Sequence, residues 1–159
     1  MSNYVGKGPN PYSNVMGQPN GVATLDAGGK VPYPQVALTA LTASLGADVL
    51  LNNSANYFDG PSLALGTGTW FVSCTLTYIS TAVAECFAKL WDGTTIMASA
   101  DAYVHVAGGK DTVSLSGIIT NPVGNVRVSM RDSSDVNGKL LFNASGNGKD
   151  CTISAVRIA

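Results

Sequence analysis

One histidine, His105, stands in the alternating stretch Asp101-Ala102-Tyr103-Val104-His105-Val106. A Ser-His-Asp relay needs an imidazole beside a serine on a sharply turned loop, and the chain contains no GxSxG sequence. His105 therefore reads as a strand-face residue, sharing its face with Tyr103 at i−2 and turned toward a subunit or a glycan. The ten acidic residues are scattered, and Glu85 is the only glutamate. Strands can bring distant carboxylates together for glycoside hydrolysis, but no spacing favours a particular pair. Asp132-Ser133-Ser134-Asp135-Val136-Asn137-Gly138 has the outline of a calcium loop, yet Val136 occupies a ligand place and no glutamate follows. It reads as a plain turn. Gly6-Lys7-Gly8 and Gly28-Gly29-Lys30 lack the glycine spacing, the Ser or Thr after Lys, and the strand and helix of a phosphate loop. Trp70, Trp91, Tyr78 and Tyr103 are able to stack on sugars, but such residues more often anchor cores or interfaces. The expectation is a protein without catalytic residues, metal or cofactor.

Composition narrows the partners. The 159 residues carry net charge −1, and no Lys or Arg cluster supplies the basic patch that nucleic acid or an anionic membrane requires. No apolar run approaches the roughly 20 residues of a membrane span. Met1 to Lys7 lacks the apolar core of a secretory signal, which points to synthesis and folding in a cytoplasm. Apolar residues make up 45%, enough for a core, but charged residues only 12%, against about 25% in ordinary domains. A surface this neutral suggests cover by copies of the same chain or by a larger assembly.

The three cysteines, Cys74, Cys86 and Cys151, are odd in number, lack CxxC spacing and lie in strand-like stretches. They read as buried thiols. If the strands around Cys74 and Cys86 meet in a turn centred on Ser80, those two would stand opposite each other and a bond between them would remain open.

Five of the seven prolines fall within residues 1–35, along with many glycines, so no long regular element fits there. Residues 1–46 read as an extended arm and connector that becomes ordered against a partner. Tyr4, Tyr12, Val15, Met16 and Tyr33 are its docking side chains. Within it, Leu38, Leu41 and Leu45 have helical spacing, leaving room for one or two turns in a linker over 36–46. Residues 47–159 form the second part.

There the period changes to two. Trp70, Val72, Cys74, Leu76 and Tyr78 share one face of a strand whose other face is mainly Ser and Thr. Val83–Trp91 reads as its hairpin partner, with Ala84, Cys86, Ala88 and Leu90 inward. Phe87 and Trp91 then point outward beside Glu85 and Lys89, and call for a neighbouring subunit as cover. Asp92-Gly93 signals a two-residue hairpin. Further strands are expected at Val49–Asn52, Ser62–Leu65, Thr94–Ser99, Ala102–Val106, Thr112–Ile119, Val126–Met130, Leu140–Asn143 and Thr152–Ile158. Turns are expected at Gly108-Gly109, Asn121-Pro122, Asn137-Gly138 and Asn147-Gly148. The predicted class is all-β, an antiparallel jelly-roll sandwich preceded by an extended Gly/Pro-rich arm.

The run Gly21-Val22-Ala23-Thr24-Leu25-Asp26, then Gly29-Lys30-Val31-Pro32, then Gln35, resembles a connector that recurs in bacteriophage head-fibre and tail-fibre proteins. Its marks are Gly21, Leu25, Asp26, Gly29, Lys30 and Pro32. Asp59-Gly60-Pro61-Ser62, Gly68-Thr69-Trp70, Ala88-Lys89-Leu90-Trp91-Asp92-Gly93-Thr94-Thr95 and Ser154-Ala155-Val156-Arg157-Ile158 likewise resemble a C-terminal domain of phage fibre and spike proteins. That domain is a jelly roll similar to trimeric tumour-necrosis-factor and complement-type heads. The resemblance implies a non-enzymatic homotrimer on the outside of a virion, held by its arm to capsid or another virion protein. Phe87, Trp91, Tyr103 and His105 become candidates for the subunit interface. A tail-fibre tip that binds bacterial surface polysaccharide is the alternative. No repetitive shaft is present, which favours a head-attached fibre, spike or decoration protein.

Overall fold

A computed structural model describes residues 27–29 and 38–159. Ten strands follow in order: β1 Ala40–Ser44, β2 Val49–Leu51, β3 Phe58–Leu63, β4 Thr69–Ile79, β5 Ala84–Trp91, β6 Ile96–Val104, β7 Lys110–Thr120, β8 Val126–Asp132, β9 Gly138–Leu140 and β10 Thr152–Arg157. All pairings are antiparallel. In one sheet β10 lies between β1 and β4, and β7 runs along the other edge of β4. Beyond β10, that first edge of β4 continues through Tyr78–Ile79 onto β9, which carries β2. The second sheet has the order β3-β8-β5-β6. Two four-stranded layers, β1-β10-β4-β7 and β3-β8-β5-β6, with chain neighbours other than the β5–β6 hairpin split between them, make a jelly roll.

The core lies between the layers. Trp70, Val72, Leu76 and Tyr78 of β4 meet Cys86, Ala88 and Leu90 of β5, Val128 and Met130 of β8, and Ile153 of β10, all buried. Strict alternation puts these residues on one face of each strand. Small side chains on β5 and β6, chiefly alanines, keep the layers close. Trp70 donates its indole N–H to the Gly66 carbonyl at 2.9 Å, and the Tyr78 hydroxyl reaches Asp111 Oδ2 at 3.4 Å. Both rings are thus core anchors rather than sugar platforms. In β3 the register slips between Asp59 and Ser62. A Cβ on Gly60 would stand 3.1 Å from both Leu76 Cδ2 and the Val128 carbonyl oxygen, so the bulge presses bare backbone onto the core.

Several expectations are corrected. Residues 40–44 are not part of a linker or a helical turn; they form β1, paired with β10 from Ala40↔Val156 to Ser44↔Thr152. A free sheet edge captured a stretch whose leucines had helical spacing. β4 and β5 are not a hairpin, because the chain crosses from one sheet to the other over Ser80–Val83. Cys74 and Cys86 consequently belong to different sheets and do not face each other across a pair. All three cysteines are free and buried. Burial pushes the thiols of Cys74 and Cys151 up to about 11. Burial and then Asp132 push Cys86 to about 12. None is a ready nucleophile at neutral pH.

The expected strands Thr94–Ser99 and Ala102–Val106 are one continuous β6. The two-residue hairpin at Asp92-Gly93 is a longer loop, Asp92 to Thr95, because Asp92 folds its own carboxylate into it. Gly138 is not a turn tip but the first residue of β9. A Cβ there would meet Asp132 Oδ2 at 2.8 Å.

Candidate functional site

Two broad outer faces and one end of the sandwich present the chemistry. The outer face of β1-β10-β4-β7 follows directly from the Ser/Thr half of each alternating strand. Register places Ala40, Val156, Phe71 and Ile118 in one cross-strand row. Thr42, Ser154, Ser73 and Ser116 make the next, and Ser44, Thr152, Thr75 and Ser114 the third. No member of these rows is charged. Hydroxyls bond each other across the strands: Thr42 to Ser154 at 3.2 Å, Thr75 to Ser114 at 3.4 Å, Thr77 to Thr112 at 3.0 Å and Thr69 to Thr120 at 3.1 Å. Phe71 is 44% and Ile118 59% exposed, so the apolar row is open to solvent in a single chain. Ser73, Thr75, Ser114, Ser116, Thr152 and Ser154 border a shallow trough of about 360 Å³.

The outer face of β3-β8-β5-β6 is different. Pairing sets Phe87 beside Arg131, Lys89 beside Ser129 and Trp91 beside Arg127. The result is a checkerboard of rings and cations. Lys89 Nζ lies 3.4 Å from the Trp91 ring centre and 4.2 Å from that of Tyr57. The Arg127 guanidinium covers the same indole at 4.5 Å. Arg131 lies 4.8 Å from Phe87 and 5.6 Å from Tyr57. Such contacts contribute roughly 0.5–2 kcal/mol each. The indole N–H of Trp91 donates to Ser129 Oγ at 2.7 Å, and that hydroxyl donates to Asp59 Oδ1 at 2.5 Å. Asp59 also pairs with Arg127 at 3.0 Å. Burial lowers the pKa of Lys89, with Asp59 opposing and Arg127 adding to the shift. Phe87 and Trp91 do point outward as expected, and this chain's own cations lie against their rings.

Tyr103 and His105 do share a face. Their ring centres stand 4.8 Å apart at 58°, beside Val106, Lys110 and Asp111, which border a depression of about 300 Å³. Both side chains are exposed. This lies at the end of the sandwich where β4 finishes and β7 begins, held by the Gly108 N–H donating to the Ser80 carbonyl at 2.8 Å.

The same end contains the segment with the calcium-loop outline, and it is a carboxylate knot. Asp132 Oδ1 accepts from the N–H groups of Ser134 at 3.0 Å and Asp135 at 2.9 Å. Asp135 Oδ1 accepts from Val136 and Asn137, while its Oδ2 accepts from the Thr81 N–H at 2.9 Å and the Thr81 hydroxyl. Among the described residues no group of three or more His, Cys, Asp or Glu side chains is placed to hold a metal ion. The Thr81 hydroxyl, opposed by burial and helped by the backbone N–H donors of Asn137, Thr81 and Val136, holds the Asp135 carboxyl down to about 2. Because the folded value lies below the ordinary one of 3.8, the bond stabilises the fold above about pH 4 and is lost as pH falls toward 2. The site is solvent-screened, so its contribution is about 1 kcal/mol. Urea unfolding of wild type and Asp135→Asn at pH 7 and pH 3 should show a gap at pH 7 that narrows at pH 3. An unchanged gap would remove this assignment.

Of the expected arm and connector residues, Tyr4, Tyr12, Val15, Met16, Tyr33, Gly21, Leu25, Asp26, Lys30 and Pro32 lie outside the described residues. Gly29 is described, in a turn with φ +73°. The uncharged face was half-legible, since the Ser/Thr positions of β4 stood out, but its assembly from four strands was not. Of the cation–ring checkerboard, the outward Phe87, Lys89 and Trp91 of β5 were legible, whereas Tyr57, Arg127 and Arg131 join them from distant parts of the chain.

No protein-family model matches the chain, and no curated protein matches it. Among solved structures, it is similar to the Eiger TNF of S. frugiperda at 10% identity and TM-score 0.42, over 76% of this chain and 85% of that one. It is similar to a structure of infectious bursal disease virus, Gx strain, at 10% identity and TM-score 0.40, over 76% of this chain and 37% of that one. A third is the enzymatically active domain of bacteriophage CBA120 tailspike protein 4, at 12% identity and TM-score 0.26, over 76% and 19%. The fold assignment rests on the strand pairing of this chain itself.

Proposed function

We propose that this chain is a non-enzymatic structural protein of a tailed-phage virion, assembling as a homotrimer whose jelly rolls project from the particle while the residues ahead of β1 hold it to capsid or another virion protein. The observation that carries the reading is the set of three cross-strand rows without a charged member on the outer face of β1-β10-β4-β7, with Lys110 and Lys149 only at their margin. Covering a charged sheet would cost heavily in desolvation. Covering hydroxyls already bonded to one another costs little, and the row around Phe71 and Ile118 supplies the apolar gain. We therefore place the subunit contact on this face. Phe87 and Trp91, already stacked by cations, are left on the outer surface.

Closed threefold symmetry would bury one such face per subunit without leaving an open edge. The phage setting is supported by the connector resemblance at residues 21–35. Many copies on one particle would convert weak contacts with a host surface into retention. Light scattering behind size exclusion on the full chain should give three times the 16.3 kDa protomer mass. A stable monomer at micromolar concentration would end the proposal.

A second reading, a tail-fibre tip for bacterial polysaccharide, is favoured by the exposed Tyr103–His105 pair at a loop-rich end. Immunogold labelling at the tail rather than the head, with glycan-array binding lost in Tyr103→Ala, would select it over the first.

A further inference from the structure

Two cations of the ring-and-cation face have no anionic partner. The Arg131 guanidinium is held between Phe87 and Tyr57, and its Nε is buried without a hydrogen-bond acceptor. Lys89 Nζ sits over Tyr57 and Trp91, and among the described residues neither side chain makes an ion pair. Arg127 differs, because Asp59 neutralises it at 3.0 Å. Buried donors without acceptors are uncommon in folded proteins and call for an explanation. Here the buried donor belongs to Arg131, which together with Lys89 flanks one ring, Tyr57, on an otherwise flat sheet surface.

We propose that Lys89, Arg131 and the Tyr57 ring between them form a binding site for the carboxylate-bearing sugars of an acidic polysaccharide. The two cations are held in place by aromatic faces before any ligand arrives, so little side-chain entropy remains to be lost on binding. Each offers N–H donors toward a carboxylate, and Arg131 has the planar fork that such a group fits. Tyr57, 36% exposed, gives a ring edge against which a sugar can lie. A linear uronic-acid polymer lies flat and repeats its charge, which suits cations set on a sheet without a deep pocket. Glu85 and Asp101 stand on the same face opposite Tyr103 and Phe87 and bound the site, which disfavours indiscriminate polyanions. The assignment does not depend on the oligomeric state or on the virion reading.

Binding of immobilised polygalacturonate to the full chain is the test, with dextran and a single-stranded DNA oligonucleotide as competitors. Wild type should bind, more weakly as salt rises, and neither competitor should displace it. Arg131→Met and Lys89→Met should each weaken binding about tenfold, the loss of one charge-assisted contact, while Leu50→Ala, an exposed position on β2 of the other sheet, should leave it unchanged. Circular dichroism melts establish that the variants are folded. Should either fail to fold, wild-type tryptophan emission serves instead, because a carboxylate drawing Lys89 off Trp91 alters it. Absent binding, binding insensitive to both variants, unaltered emission, or equal displacement by dextran or DNA would each overturn the proposal.

Discussion

Asp92→Ala is expected to lower the free energy of unfolding by about 3–4 kcal/mol, a large share of the roughly 5–15 kcal/mol of a typical domain. Asp92 is only 3% exposed. Its Oδ1 accepts from the N–H groups of Thr94 at 2.9 Å and Thr95 at 2.7 Å, and its Oδ2 from that of Val123 at 3.0 Å. One carboxylate thus closes the β5–β6 loop and ties it to the loop between β7 and β8. Alanine leaves three backbone donors without acceptors, each costing on the order of 1–3 kcal/mol when water cannot replace the partner. Partial entry of water sets the total below the maximum. Asp92→Asn keeps one acceptor oxygen and should cost about 1–2 kcal/mol. Burial raises the Asp92 pKa, but the donors from Thr95, Val123 and Thr94 outweigh it and hold it below the ordinary value. The stabilisation is accordingly present above the unfolded carboxylate range and is lost on acidification. Urea melts of the three proteins at neutral pH provide the check. Equal midpoints for wild type and Asp92→Ala would show that the knot is not structural.

The second large effect concerns assembly rather than folding. Ser73→Glu is expected to convert the proposed trimer wholly to monomer while changing the stability of the isolated fold by no more than about 0.5 kcal/mol. Ser73 is exposed and pairs with Ser154 on one side and Ser116 on the other, so it occupies the middle of the hydroxyl rows. A carboxylate there is solvated in the monomer. In the trimer it would be covered without a cation, at a cost of several kcal/mol per subunit. Ser99→Glu, on β6 of the other sheet, is the control and should remain trimeric. Light scattering of both variants decides the point, and a trimeric Ser73→Glu would move the interface elsewhere.

The alternation of β4, β5, β8 and β10 made the all-β class readable, because each strand buries one face only. Which strands neighbour one another was not readable from period alone. The stretch around Ser80 looks like the tip of a hairpin, yet Asp135, more than fifty residues away, holds Thr81 and helps carry the chain across to the other sheet. Likewise Leu38, Leu41 and Leu45 offered a helix, and only the vacant edge of β10 made residues 40–44 a strand. Candidate residues fared according to the same rule. Tyr103 and His105, two apart on one strand direction, were brought together as their spacing implied. Lys89 stands two residues from Trp91 on β5, but the arginines that meet Phe87 and Trp91 come from β8, and only cross-strand register brings them to those rings.

The pairing of β1 with β10 has a practical corollary. Ala40 stands opposite Val156, and the Thr69 N–H donates to the Ala159 carbonyl at 2.7 Å, so the residue 40 and residue 159 ends meet at one pole. The loops at 80–83, 105–109 and 141–151 occupy the other pole. A peptide tag appended after Ala159 would emerge beside the entry strand, whereas one spliced between Gly146 and Gly148 would sit at the far tip. For engineering this scaffold to exhibit foreign epitopes, the internal splice is the accessible address.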